Sequence, residues 1–97
     1  MRMLDGNRAK GYTETKQDDL WRIGNARIHG KDYTVMGKVF DEPSKYGING
    51  GRISKLSVWP KEKNWSNSII NYDRGWDIEP KGHKAKKILN EILNYYK

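Results

Sequence analysis

Lys81-Gly82-His83-Lys84-Ala85-Lys86-Lys87-Ile88-Leu89-Asn90-Glu91-Ile92-Leu93-Asn94-Tyr95-Tyr96-Lys97 is the stretch whose reading decides the fold. Ala85, Ile88, Leu89, Ile92, Leu93 and Tyr96 recur at helical spacing, while Lys84, Lys87, Asn90, Glu91 and Asn94 fall on the opposite side. That pattern is the apolar stripe of an amphipathic α-helix. Pro80 sets the start just beyond itself, because its ring is not tolerated in a helix interior. A helix of about fourteen residues is about 21 Å long and marginal alone in water, so its stripe must be buried against other elements.

The residues before it supply strands. Trp21 to Ile28 alternates, with Gly24 as a place for a bulge, and His29-Gly30-Lys31-Asp32 reads as a turn. Tyr33 to Phe40 is rich in β-branched and aromatic residues and apolar on both sides, which suits a central strand paired with its predecessor as a hairpin. Asp41 to Gly51 reads as a long loop, with Pro43 stopping the ladder and Asn49, Gly50 and Gly51 permitting positive φ. Arg52 to Trp59 and Ser68 to Tyr72 read as the third and fourth strands, separated by a charged turn at Pro60-Lys61-Glu62-Lys63-Asn64. Strands followed by a helix predict an α+β domain: a four-stranded antiparallel β-meander packed against one C-terminal α-helix. Residues 1–19 are polar and lack periodicity, so they are expected to form a polar N-terminal arm, with residues 20–97 as the single domain.

At 97 residues the chain has room for one core. Apolar residues are only 35% of it, so four Trp and six Tyr must carry much of the burial. The absence of cysteine excludes disulfides, thiolate metal sites and cysteine catalysis, and points to a reducing cytoplasm as the expected location. No apolar run approaches the roughly 20 residues that a membrane helix needs, and the first residues lack the apolar core of a signal peptide. The net charge of +7 favours acidic partners such as nucleic acid or an acidic protein surface.

Against that basic background, acids gather at Asn71-Tyr72-Asp73-Arg74-Gly75-Trp76-Asp77-Ile78-Glu79-Pro80. Three uses suit this corner: holding a cation, holding Arg74, or forming a tight turn. Asp73, Asp77 and Glu79 with His83 offer hard oxygen donors and one imidazole for a divalent ion, although their spacing matches no established metal motif. Asp73 with Glu79-Pro80-Lys81 also has the outline of a metal-dependent nuclease signature, which Pro80 opposes by breaking the strand it needs. Serine-hydrolase and phosphate-loop chemistry find no matching motif.

Asp41-Glu42-Pro43-Ser44, Tyr46-Gly47-Ile48 and Gly50-Gly51-Arg52-Ile53-Ser54-Lys55-Leu56, followed by the acidic corner, resemble a group of short proteins encoded by bacteriophages and prophages of Gram-positive bacteria. The resemblance runs from about Tyr33 to the C-terminus. It implies a setting rather than a mechanism, since small phage accessory proteins often bind and disable host machinery, including restriction and CRISPR nucleases.

The expectation is therefore a non-catalytic binding protein without a cofactor. It would occlude a host protein or protein–nucleic acid complex, as an anti-defence inhibitor does. Trp59, Trp65, Arg74 and Trp76 are the candidate anchors, with Lys81, Lys84, Lys86 and Lys87 at the helix start. The alternatives are direct nucleic-acid binding by a basic, aromatic face and a divalent metal site, structural or catalytic, at Asp73, Asp77, Glu79 and His83.

Overall fold

The computed structural model describes residues 11–61 and 67–97. They form strands β1 (Tyr12–Asp18), β2 (Trp21–Ile28), β3 (Lys31–Val39), β4 (Ile53–Pro60), β5 (Ile70–Asp73) and β6 (Trp76–Ile78), then helix α1 (Gly82–Tyr95). The sheet order follows the chain and each adjacent pair is antiparallel, so the sheet is a continuous meander. The α+β class, the antiparallel sheet and the C-terminal helix are as the sequence predicts. The strand count is not: there are six strands where four were expected.

The two additional strands lie in stretches read otherwise. β1 falls within the expected polar arm. An edge strand needs only one neighbour and little apolar content, and here Tyr12 is its single large apolar residue beside the β-formers Thr13 and Thr15. The register shifts between Glu14 and Lys16, so the bulge lies at Thr15 rather than at Gly24. Gly24 instead makes room for the Tyr12 ring, which any Cβ there would strike. β6 lies in the acidic corner and is only three residues long, too short to show alternation. Arg74 (φ 58) and Gly75 fold it back on β5, and the Asp73 N–H donates to the Gly75 carbonyl at 2.8 Å.

β3 is central as expected, paired with β2 on one side and β4 on the other. The β2–β3 turn places both His29 (φ 52) and Gly30 (φ 78) in the left-handed region, the geometry of a tight hairpin turn.

Register and alternation divide the sheet into two faces. Tyr12, Ala26, Tyr33, Val35, Leu56, Val58, Ile70 and Tyr72 are buried on one face, and Ala85, Ile88, Ile92 and Tyr96 of α1 are buried with them. α1 packs over β1 and β2. The long loop after β3 joins the same core through buried Ile48, and the Tyr72 hydroxyl donates to the Tyr46 carbonyl at 2.8 Å. Arg52 Nε then donates to the Tyr96 carbonyl at 3.1 Å, joining loop to helix end.

A polar chain closes this layer at the β1 edge. The Tyr96 hydroxyl donates to Glu14 Oε1 at 2.7 Å and therefore accepts from the Tyr12 hydroxyl at 2.6 Å. Arg22 Nε lies 3.7 Å from the same carboxylate oxygen. Burial pushes the Tyr12 hydroxyl from 10 up to about 12. Tyr96 is pushed higher still, by burial first and then by its bonds to Tyr12 and Glu14.

The opposite face presents Trp21, Ile23, Asn25, Thr34, Met36, Lys38, Lys55, Ser57 and Asn71, all exposed or half-buried. No helix of the chain's described part is long and apolar enough to cross a membrane.

Candidate functional site

The polar chemistry of that second face concentrates where β3 ends and β4 begins. Lys38 lies opposite Lys55 and Val39 opposite Ile53, so Ser54 is an extra residue in β4. Ser54 at this bulge is only 4% exposed, and its hydroxyl has no hydrogen-bond partner among the described residues. Its carbonyl accepts the Arg74 N–H at 2.9 Å, which holds the β5–β6 turn against the start of β4.

The loop after β3 forms the remaining wall. The Phe40 N–H donates to the Arg52 carbonyl and the Ser44 N–H to the Gly51 carbonyl, both at 2.9 Å, closing the loop at its base. Ser44 Oγ accepts the Tyr46 N–H at 3.1 Å, and among the described residues its own proton has no acceptor. Gly47 is required here because a Cβ would meet the Gly51 carbonyl. Lys38, Phe40, Ser44, Tyr46, Ser54, Lys55 and Arg74 thus line one cavity of about 290 Å³.

The electrostatics of this cavity are unbalanced. Lys38 and Lys55 are direct cross-strand neighbours on one face, a like-charge pairing that disfavours the sheet. Asp73 is the carboxylate beside them: its Oδ1 lies 3.9 Å from Lys55 Nζ and 3.4 Å from Arg74 Nε. Both contacts are exposed and therefore weak. Lys38 Nζ lies 5.5 Å from the centre of the Phe40 ring, and Lys45 Nζ lies 5.2 Å from that of Tyr46. Trp21, 37% exposed, continues the row beyond Lys38.

The residues singled out from sequence scatter. Arg74 is in the cavity wall. Trp59 is buried, 8% exposed, so it is not an exposed anchor. Trp65 lies outside the described residues. Trp76 is half-exposed at the sheet edge and packs edge-on against Tyr72 at 4.9 Å. Lys81, Lys84, Lys86 and Lys87 are exposed, and Lys87 lines a separate cleft with Arg27, His29 and Glu91. Asp73, Asp77, Glu79 and His83 are exposed, and no three such side chains converge as a metal-donor set among the described residues.

Lys38, Phe40, Ser44, Tyr46 and Ser54 were not singled out as site residues by the sequence. Only the β3–β4 register sets Lys38 against Lys55, and only the register shift makes Ser54 an extra residue of β4.

Fold and site together define an α+β domain with one helix-covered sheet face and a cationic, aromatic cavity at one end of the other. The chain belongs to the DUF7678 family, a domain of unknown function whose model matches residues 20–97. Every residue lining the cavity falls inside that match, whereas β1 precedes it. No curated protein and no solved structure matches the chain.

Proposed function

We propose that this chain is a non-catalytic binding protein whose partner is nucleic acid, free or held within a host protein–nucleic acid complex. The observation that carries this reading is the Lys38–Lys55–Arg74 group, with the Asp73 carboxylate and exposed rings alongside. Cations spaced for phosphates and rings available for stacking are the two elements of single-strand binding. The net charge of +7 gives the same preference at long range. Occlusion of a host protein through a tryptophan anchor is less well supported, because Trp59 is buried. In the phage setting that the resemblance implies, contact with the nucleic acid of a host defence complex would mask it from its target.

The test is fluorescence anisotropy of a labelled single-stranded oligonucleotide across a salt series. Binding is expected to weaken with salt, with a slope of log K on log salt of about −2 for three phosphate contacts. Absence of binding at low salt, or affinity independent of salt, would overturn the reading in favour of a protein surface as partner.

A further inference from the structure

We infer that the 290 Å³ cavity is a nucleotide-phosphate site, with Lys38, Lys55 and Arg74 around the phosphate and the attached base lying on Phe40 or Tyr46. The inference deepens the nucleic-acid reading and rests on it for the partner class.

Four observations converge. The first is the paired lysines, Lys38 against Lys55, whose mutual repulsion a dianionic group between them would relieve. The second is Ser54: a buried hydroxyl without a partner among the described residues is unfavourable, and this residue lines a cavity of cations, where a phosphate oxygen would accept its proton. Ser44 can donate from the other wall.

The third is Arg74, a bulky residue held at φ 58 in the left-handed region, where glycine is the unstrained choice. That conformation places a fork-shaped donor on the cavity wall, and the guanidinium matches phosphate geometry. The fourth is an adjoining cleft of about 420 Å³ that shares Phe40 and Ser44 and adds Leu20, Asp41, Glu42 and Pro43. Phe40 thus stands between a cationic chamber and a more apolar one. A phosphate alone would use only the first, whereas a nucleotide spans both, and Asp41 and Glu42 supply acceptors for a base amino group.

Calorimetric titration with a nucleoside monophosphate, the matching nucleoside and inorganic phosphate tests this on the full chain. The monophosphate is expected to bind at least tenfold more tightly than the nucleoside, and more tightly than phosphate alone. Arg74→Gly and Lys38→Ala should each lower that affinity about tenfold, the scale of one charge-assisted contact. Ser54→Ala should lower it while raising the melting temperature, and Arg74→Gly should not lower the melting temperature. Those opposite signs separate a binding role from a structural one. Equal binding of nucleoside and nucleotide, or unchanged affinity in both Arg74→Gly and Lys38→Ala, would overturn the inference.

Oligonucleotides with and without a 5′-phosphate distinguish a strand end from a free nucleotide. Preference for the phosphorylated end supports the site as a strand-end reader. Nucleotide binding without any oligonucleotide binding supports the cavity and removes the nucleic-acid function. Oligonucleotide binding that both variants leave unchanged keeps the function and removes the cavity.

Discussion

The two ends of the sheet treat polar groups in opposite ways. At the β1 edge, Tyr12, Tyr96 and Glu14 form a buried chain in which every hydroxyl has a partner and Arg22 stands by the carboxylate. At the β3–β4 end, two lysines face each other, one serine hydroxyl is buried without a partner among the described residues, and an arginine occupies a glycine-like conformation. Both arrangements join residues distant in sequence. The first satisfies its groups and so stabilises the fold. The second opposes two lysines with only weak, exposed contacts to Asp73 and leaves the Ser54 hydroxyl without a partner among the described residues, at a cost in stability, which is the expected condition of a site that a ligand completes.

Substitutions should therefore change stability in opposite directions at the two ends. Tyr12→Ala, which removes a buried ring from between sheet and helix, should cost about 3–5 kcal/mol in denaturant unfolding. Tyr96→Phe leaves the Tyr12 hydroxyl and the Glu14 carboxylate without their shared partner and should cost about 1–3 kcal/mol. Neither change should alter nucleotide affinity measured well below the unfolding transition.

Alkaline titration tests the same end without mutation. Below pH 10, both the folded and the unfolded chain keep the tyrosine protons. Between pH 10 and about 12 the unfolded chain loses the Tyr12 proton while the folded chain keeps it, so unfolding is favoured. Tyr96, raised further, extends the loss upward. Urea midpoints should be level from pH 7 to 9 and fall by pH 11; a midpoint unchanged at pH 11 would break the assignment of a buried, satisfied pair.

At the other end the signs should reverse. Arg74→Gly removes left-handed strain worth about 1–2 kcal/mol, offset in part by the greater freedom of glycine in the unfolded chain, so its melting temperature should match or exceed that of the parent. Lys38→Met relieves the repulsion with Lys55 and should gain a few tenths of a kcal/mol, the smallest effect of the series, while weakening oligonucleotide binding. If both substitutions instead destabilise, the two ends are alike and the comparison fails.

Much of the frame was legible in the chain. Helical periodicity from Ala85 to Tyr96 placed α1, and β2 spans Trp21–Ile28 as the alternation indicated. β1 was missed because Tyr12 belongs to the core only once Tyr96 lies across it, 84 residues away. β6 was missed because three residues carry no period. Of the candidate site, Arg74 stood out, whereas nothing local in the sequence set Lys38 against Lys55. Trp59, a candidate anchor beside a charged turn, is buried, since whether a strand-end ring is covered depends on what lies across it.

The sequence by itself determined the class, the helix, the central strands and the excess of positive charge, because each rests on local periodicity or on composition. Tertiary structure alone decided which lysines meet, which serine is buried and which arginine is strained. Those depend on strand register and on one bulge at Ser54, and a single-residue shift in register would put Lys38 and Lys55 on opposite faces of the sheet.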